Sequence, residues 1–231
     1  MNLSSRRLLG VLFAGTLFTP LDAFSGEPDV GMISFTPPDR GAPSRRIGGG
    51  SRGDKTQLLM AALVPPQTGQ TAQAQPTLYW FISRAVNTPM DFAVTIPGEE
   101  TPLVESRLAG PTKPGIQSID LAKLGVKLKP GIEYQWSVSL VNNESQRSAD
   151  TFVAGALVRT ADGNGNPVLC GKPEQMPQAA AYASQGLWYD ALQCLSQLAE
   201  KGKRPEYRAK QASLLAQGDL KAVVDWLAAN P

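Results

Sequence analysis

The sequence predicts a Greek-key β-sandwich of about seven antiparallel strands, followed by an α-helical segment of about four short helices. Three observations carry that expectation. Residues 132–140 alternate, with Ile132, Tyr134, Trp136, Val138 and Leu140 on one side and Glu133, Gln135, Ser137 and Ser139 on the other. That is a strand with one face in a core and one in water. Further short runs of strand character fall between residues 58 and 159, most of them separated by Pro/Gly turns, at the spacing of a sandwich. Beyond residue 173 the apolar period changes from two to about 3.6, the period of amphipathic helices.

Residues 1–23 read as a secretory signal peptide. Arg6-Arg7 form a basic start, residues 8–18 a short apolar run, and Leu21-Asp22-Ala23 ends on a small residue suited to cleavage. The run is shorter than the ~20 residues a membrane span needs. No cysteine follows it to serve as a lipoprotein anchor. Ser5-Arg6-Arg7-Leu8-Leu9 also has a weak twin-arginine character; general secretion is the expected route. The predicted location is periplasmic or secreted, with no membrane span in the mature protein. Cleavage would take the count from 22 basic and 20 acidic groups to 20 and 19, a formal charge of +1. Near-neutrality without a basic cluster on any predicted element argues against nucleic-acid binding.

Residues 24–56 form a leader rich in Gly, Pro, Ser and Arg. Its composition is that of a solvated segment with little to bury. Arg45, Arg46 and Arg52 are nevertheless candidate contacts for an anion or polysaccharide, because guanidinium groups on glycine-permitted backbone suit such ligands. The sandwich is expected over 57–160, with strands at 58–64, 78–83, 90–96, 103–108, 116–121, 132–140 and 151–159. Pro97-Gly98, Pro114-Gly115 and Pro130-Gly131 supply turns, since Pro presets φ and Gly accepts φ > 0. Trp80 and Trp136 fall within strand patterns, where core packing is the default role of so large an apolar group.

Residues 161–173 read as a linker. Its Asp162-Gly163-Asn164-Gly165-Asn166 run lacks the spacing and closing glutamate of a calcium loop, so no metal is expected. Residues 174–231 carry two helical stripes, Leu187, Ala191, Leu195 and Leu198, then Leu220, Val223, Val224 and Leu227. Gln185-Gly186 recurs as Gln217-Gly218, 32 residues later. Cys170 and Cys194 are the only cysteines. In an exported chain they fit a disulfide worth roughly 3 kcal/mol through loop closure, and they equally fit two buried thiols.

Three resemblances follow from these residues. Arg40-Gly41, Arg45-Arg46, Gly48-Gly49-Gly50, Leu63-Val64-Pro65, residues 76–81, residues 147–155 and residues 186–192 together resemble an exported, largely cyanobacterial group, domain-of-unknown-function family 928. That likeness covers about residues 40–230 and implies an envelope setting but no activity. Where the family signature is followed by a cysteine, this chain has Lys55. Leu128-x-Pro130-Gly131-x-x-Tyr134 with upstream Trp80 resembles a fibronectin type III module, which implies structural roles for Tyr134 and Trp80. The turn around Gly186 is similar to a tetratricopeptide corner; two such units usually fall short of a stable solenoid, so these helices are expected to dock on the sandwich.

The chain has no histidine, which excludes Ser-His-Asp and Cys-His nucleophiles and His-containing zinc sites. Neither a phosphate-binding Gly-Lys-Ser/Thr loop nor a dinucleotide fingerprint occurs. Glu99, Glu100, Asp120 and Asp150 sit in turns or at strand ends, where carboxylates cap or solvate the chain. The expected function is therefore a non-catalytic interaction module without a cofactor, binding an envelope protein through the sandwich and helical tail. The alternative is a carbohydrate or cell-wall binding domain using Arg45, Arg46, Arg52 and Trp188. A carboxylate-based glycoside hydrolase is more distant, since it needs two carboxyl groups facing across a cleft ~5–9.5 Å wide.

Overall fold

The structure, a computed structural model, describes residues 33–38, 58–202 and 204–230. The expected signal peptide, and Arg45, Arg46 and Arg52 of the leader, lie outside the described residues. Eight strands come first: β1 (Met60–Ala62), β2 (Gly69–Thr71), β3 (Thr77–Ile82), β4 (Met90–Thr95), β5 (Val104–Leu108), β6 (Gly115–Asp120), β7 (Glu133–Leu140) and β8 (Thr151–Arg159). Four helices follow: α1 (Met176–Ser184), α2 (Trp188–Gly202), α3 (Pro205–Gln217) and α4 (Lys221–Ala229). One sheet has the order β1-β3-β6 and the other β2-β8-β7-β4-β5.

Strand β7 is the spine of the larger sheet, pairing with β4 on one side and β8 on the other. Tyr134, Trp136, Val138 and Leu140 are buried, whereas Glu133 and Gln135 are exposed. Cross-strand neighbours complete the buried row: Val138 lies between Phe92 and Val153, and Trp136 is opposite Val94. Such pairs are the unit that stabilises a sheet.

The expectation of seven antiparallel strands needs correcting to eight in mixed pairing. The additional strand, β2, runs parallel to β8. Gly69-Gln70-Thr71 is short and shows no alternation, so it has no strand signal of its own. It is held from outside, because the backbone N–H of Ala72, just past its end, donates to both carboxylate oxygens of Asp190 in α2, at 3.2 and 3.3 Å.

In the smaller sheet β3 is central and buried on both faces. Phe81 meets the Trp226 ring of α4 at 5.0 Å, edge to face, and Tyr79 hydrogen-bonds Ser196 of α2. Those contacts put helices on one side; by alternation Leu78, Trp80 and Ile82 point to the other. All five are buried.

Helix α2 departs most from expectation. Its predicted stripe is buried, but so is every residue from Leu187 to Ser196. The helix is wrapped by the sheets, by α1 and α3, and by the segment read as a linker. That segment is pinned: Gln73 Oε1 accepts from the Val168 N–H at 2.9 Å, Gln197 Oε1 accepts from the Cys170 N–H at 2.6 Å, and a disulfide joins Cys170 to Cys194 of α2 with Cα atoms 5.0 Å apart. Buried polar groups demand partners, and glutamines on both sides supply them.

Tyr134 stands at the start of β7 and accepts a hydrogen bond at 3.0 Å from the Lys129 N–H, five residues upstream. Tyr134→Phe is expected to lower stability by about 1 kcal/mol, the net worth of one such bond. The shift in denaturant midpoint measures it; an unchanged midpoint would contradict a structural role for the hydroxyl.

Candidate functional site

The C-terminal ends of α1 and α3 form a groove, and an extended stretch of the chain, residues 33–38, lies in it. Ile33 and Phe35 are buried while Ser34 between them is exposed, the alternation of an extended peptide on a surface. The carboxamide of Gln217, the last residue of α3, grips the peptide backbone twice. Its Oε1 accepts from the Phe35 N–H at 2.7 Å, and its Nε2 donates to the Ile33 carbonyl at 2.8 Å. A neighbouring parallel strand would meet those same two groups, so one side chain replaces a strand partner. On the other side the Thr36 N–H donates at 3.1 Å to the carbonyl of Ala183 in the last turn of α1, which also accepts from the Gly186 N–H at 3.0 Å.

The repeated glycine corners explain why the groove can form. Gly186 has φ +77°, and a Cβ there would come within 2.9 Å of the Thr36 carbonyl oxygen. Only glycine lets the peptide backbone approach so closely. At Gly218 a Cβ would overlap the Trp188 ring. That ring is the apolar wall for the peptide: Phe35 meets it edge to face, centroids 5.0 Å apart at 80°.

Trp188 therefore does not have the exposed face expected of a sugar-stacking platform. It is fully buried, and its indole N–H donates to the Leu63 carbonyl at 2.9 Å. The neighbouring α2 side chains are anchored in the same way. Tyr189 accepts from the Trp136 indole N–H at 3.1 Å and donates to the Ala156 carbonyl at 3.0 Å. Gln193 Oε1 accepts from Gln73 Nε2 at 3.0 Å and from the Thr77 N–H at 3.1 Å. Trp80 is buried, with its indole nitrogen unpaired.

The family described as Domain of Unknown Function (DUF928) matches residues 47–227. The chain belongs to this family. No curated protein matches it. The part of the chain matched to DUF928 takes in Ala183, Gly186, Trp188, Gln217 and Gly218 of the groove, and leaves out the peptide that fills it.

Two other polar places do local structural work. Arg147 pairs with Asp91 and with Asp150 at 2.7 Å each, and Arg107 pairs with Asp91 at 3.2 Å and with Glu144. This network ties the turn before β8 to β4 and β5. A cavity of about 270 Å³ opens beside α2, lined by Gln75, Thr77, Asp120, Gln193 and Gln197 among others. Gln193 and Gln197 hold backbone groups there, and Asp120 accepts from the Ala122 N–H at 2.8 Å. Among the described residues no cluster of His, Cys, Asp or Glu could hold a metal ion, and no helix is long and apolar enough to cross a membrane.

Sequence reasoning missed Gln217, Phe35 and Asp190. The first carried a signal in the repeated Gln-Gly corner, and the second in Ile33-Ser34-Phe35, an alternation set before Pro37-Pro38 in an otherwise unpatterned leader. Asp190 gave none, being one charge on a helix.

Burial pushes the Asp190 carboxyl up to about 6, against the lowering effect of hydrogen bonds from Thr71 and the Ala72 N–H. With the folded pKa above the unfolded one, the folded state holds the extra proton. The associated stability is complete below about pH 4 and is lost as pH rises through about 6. A shift of that size corresponds to roughly 3 kcal/mol. The chain has no histidine, the usual source of side-chain titration in that range. The unfolding midpoint should therefore climb as pH falls from about 7 to 5, and Asp190→Asn should flatten the climb. Parallel wild-type and variant curves would contradict the assignment.

Proposed function

We propose that the protein is a non-catalytic interaction module of the bacterial envelope, whose helical groove holds an extended segment of a protein partner. One observation carries this reading: the groove already binds an extended peptide, residues 33–38, through backbone hydrogen bonds and two apolar side chains. Main-chain bonds supply affinity for any extended segment, and sockets for alternate side chains supply the choice among segments.

A fibronectin type III-like body behind tetratricopeptide-like helices is part of the same proposal. With β2 set aside, the first, second and fifth strands share one sheet and the third, fourth, sixth and seventh the other; apart from the fourth strand, this is the division of constant-type immunoglobulin sandwiches. The Tyr134–Lys129 bond at the start of the sixth strand also favours it. An oxidising location outside the cytoplasm fits the Cys170–Cys194 disulfide.

A library of random ten-residue peptides, panned against the chain carrying Phe35→Ser so that the groove is open, tests the reading. Enriched sequences should carry large apolar residues two positions apart, and enrichment should vanish when Gln217→Ala is added. Recovery of no such pattern would contradict a peptide-binding groove.

A further inference from the structure

The peptide in the groove belongs to the chain itself, and residues 39–57 join it to the body. Its seat is small. Three backbone hydrogen bonds hold it, two through Gln217 and one to Ala183. Ile33 and Phe35 are its buried anchors, and Ser34, Thr36 and Pro37 are exposed. Thr36 precedes Pro37-Pro38, and a residue before proline is steered to extended backbone, so the segment arrives already shaped for the groove. Pre-shaping lowers the ordering cost of binding. The stretch matched to the family includes the groove and excludes its occupant.

Resting on the groove reading above, we infer that residues 33–38 are a displaceable occupant that masks a site for a segment of a second polypeptide. The partner segment is extended, with a branched aliphatic side chain and an aromatic one two positions apart, followed by proline. The aliphatic side chain takes the Ile33 socket. The aromatic one meets the Trp188 ring edge to face, as Phe35 does, while Gln217 clamps the backbone on either side of the residue between them.

Tethering sets the threshold for exchange. A covalent connection of this length holds its end near a site at an effective concentration of ~1 mM. If the segment alone dissociates at ~0.1 mM, the tether keeps it in place about nine-tenths of the time and weakens a competitor about tenfold. A second copy of this chain gains little by exchanging segments, because its contacts would match the tethered ones while its concentration would be far lower.

The test uses the mature chain and a fluorescently labelled peptide with the sequence of residues 30–38, titrated by anisotropy. Binding to the Phe35→Ser chain should be about tenfold tighter than to wild type, and Gln217→Ala in that background should weaken it at least tenfold. A control peptide with Ser at both anchor positions should not bind. In the unmutated chain, excess unlabelled peptide should speed hydrogen exchange at the Phe35 and Thr36 amides, a readout independent of any variant's folding. Equal affinity for wild type and Phe35→Ser, with unchanged exchange, would overturn displacement while leaving peptide binding intact. No binding to either chain and no change in exchange would overturn the groove reading and this inference together.

Discussion

Three consecutive residues at the start of α2 must put polar atoms into a dry interior, and the rest of the structure depends on how that is done. Trp188, Tyr189 and Asp190 are each buried to within a per cent or so. An unpaired polar group in such a place costs about 1–3 kcal/mol. Each is therefore met by the sheet region: the Leu63 carbonyl for Trp188, the Ala156 carbonyl and Trp136 indole for Tyr189, and the Ala72 N–H for Asp190. Burial also pushes the Tyr189 phenol well above its ordinary range, so it stays a neutral donor and acceptor. These bonds fix the rotation of α2 about its axis as apolar packing alone would not, because hydrophobic burial is non-directional.

The fixed orientation of α2 carries over to the groove. Trp188 has one edge bonded to the sheet region and offers its ring to Phe35. Gly218 makes room for that ring, and Gln217, one residue earlier, faces the peptide backbone. A shift of α2 against the sheets would move the groove's wall away from its clamp. The two corners that look like a degenerate repeat thus have different tasks, Gly186 admitting the peptide backbone and Gly218 admitting the indole.

Much of the sheet region was legible because its strands report their own environment. The period-two pattern at 132–140 becomes β7, and the turn at Pro130-Gly131 precedes it with Gly131 at φ +74°. Strand β2 was not legible, since Gly69-Gln70-Thr71 is a strand only because β8 and Asp190 make it one. Periodicity also underestimated α2. Its stripe of Leu and Ala is real, but Asp190, Gln193 and Ser196 on other faces are equally buried, and a buried polar residue cannot be told from an exposed one by sequence pattern. For the same reason Trp188 read as an available aromatic. The groove itself was nearly invisible, because a backbone clamp needs only one glutamine at the right place.

Native-state hydrogen exchange at increasing denaturant tests most directly whether α2 welds the helices to the sheets. If α2 is that weld, the slowest amides of α2 and β7 converge on one global opening. Exchange of the α2 amides through a separate opening of lower free energy, with β7 still protected, would contradict it.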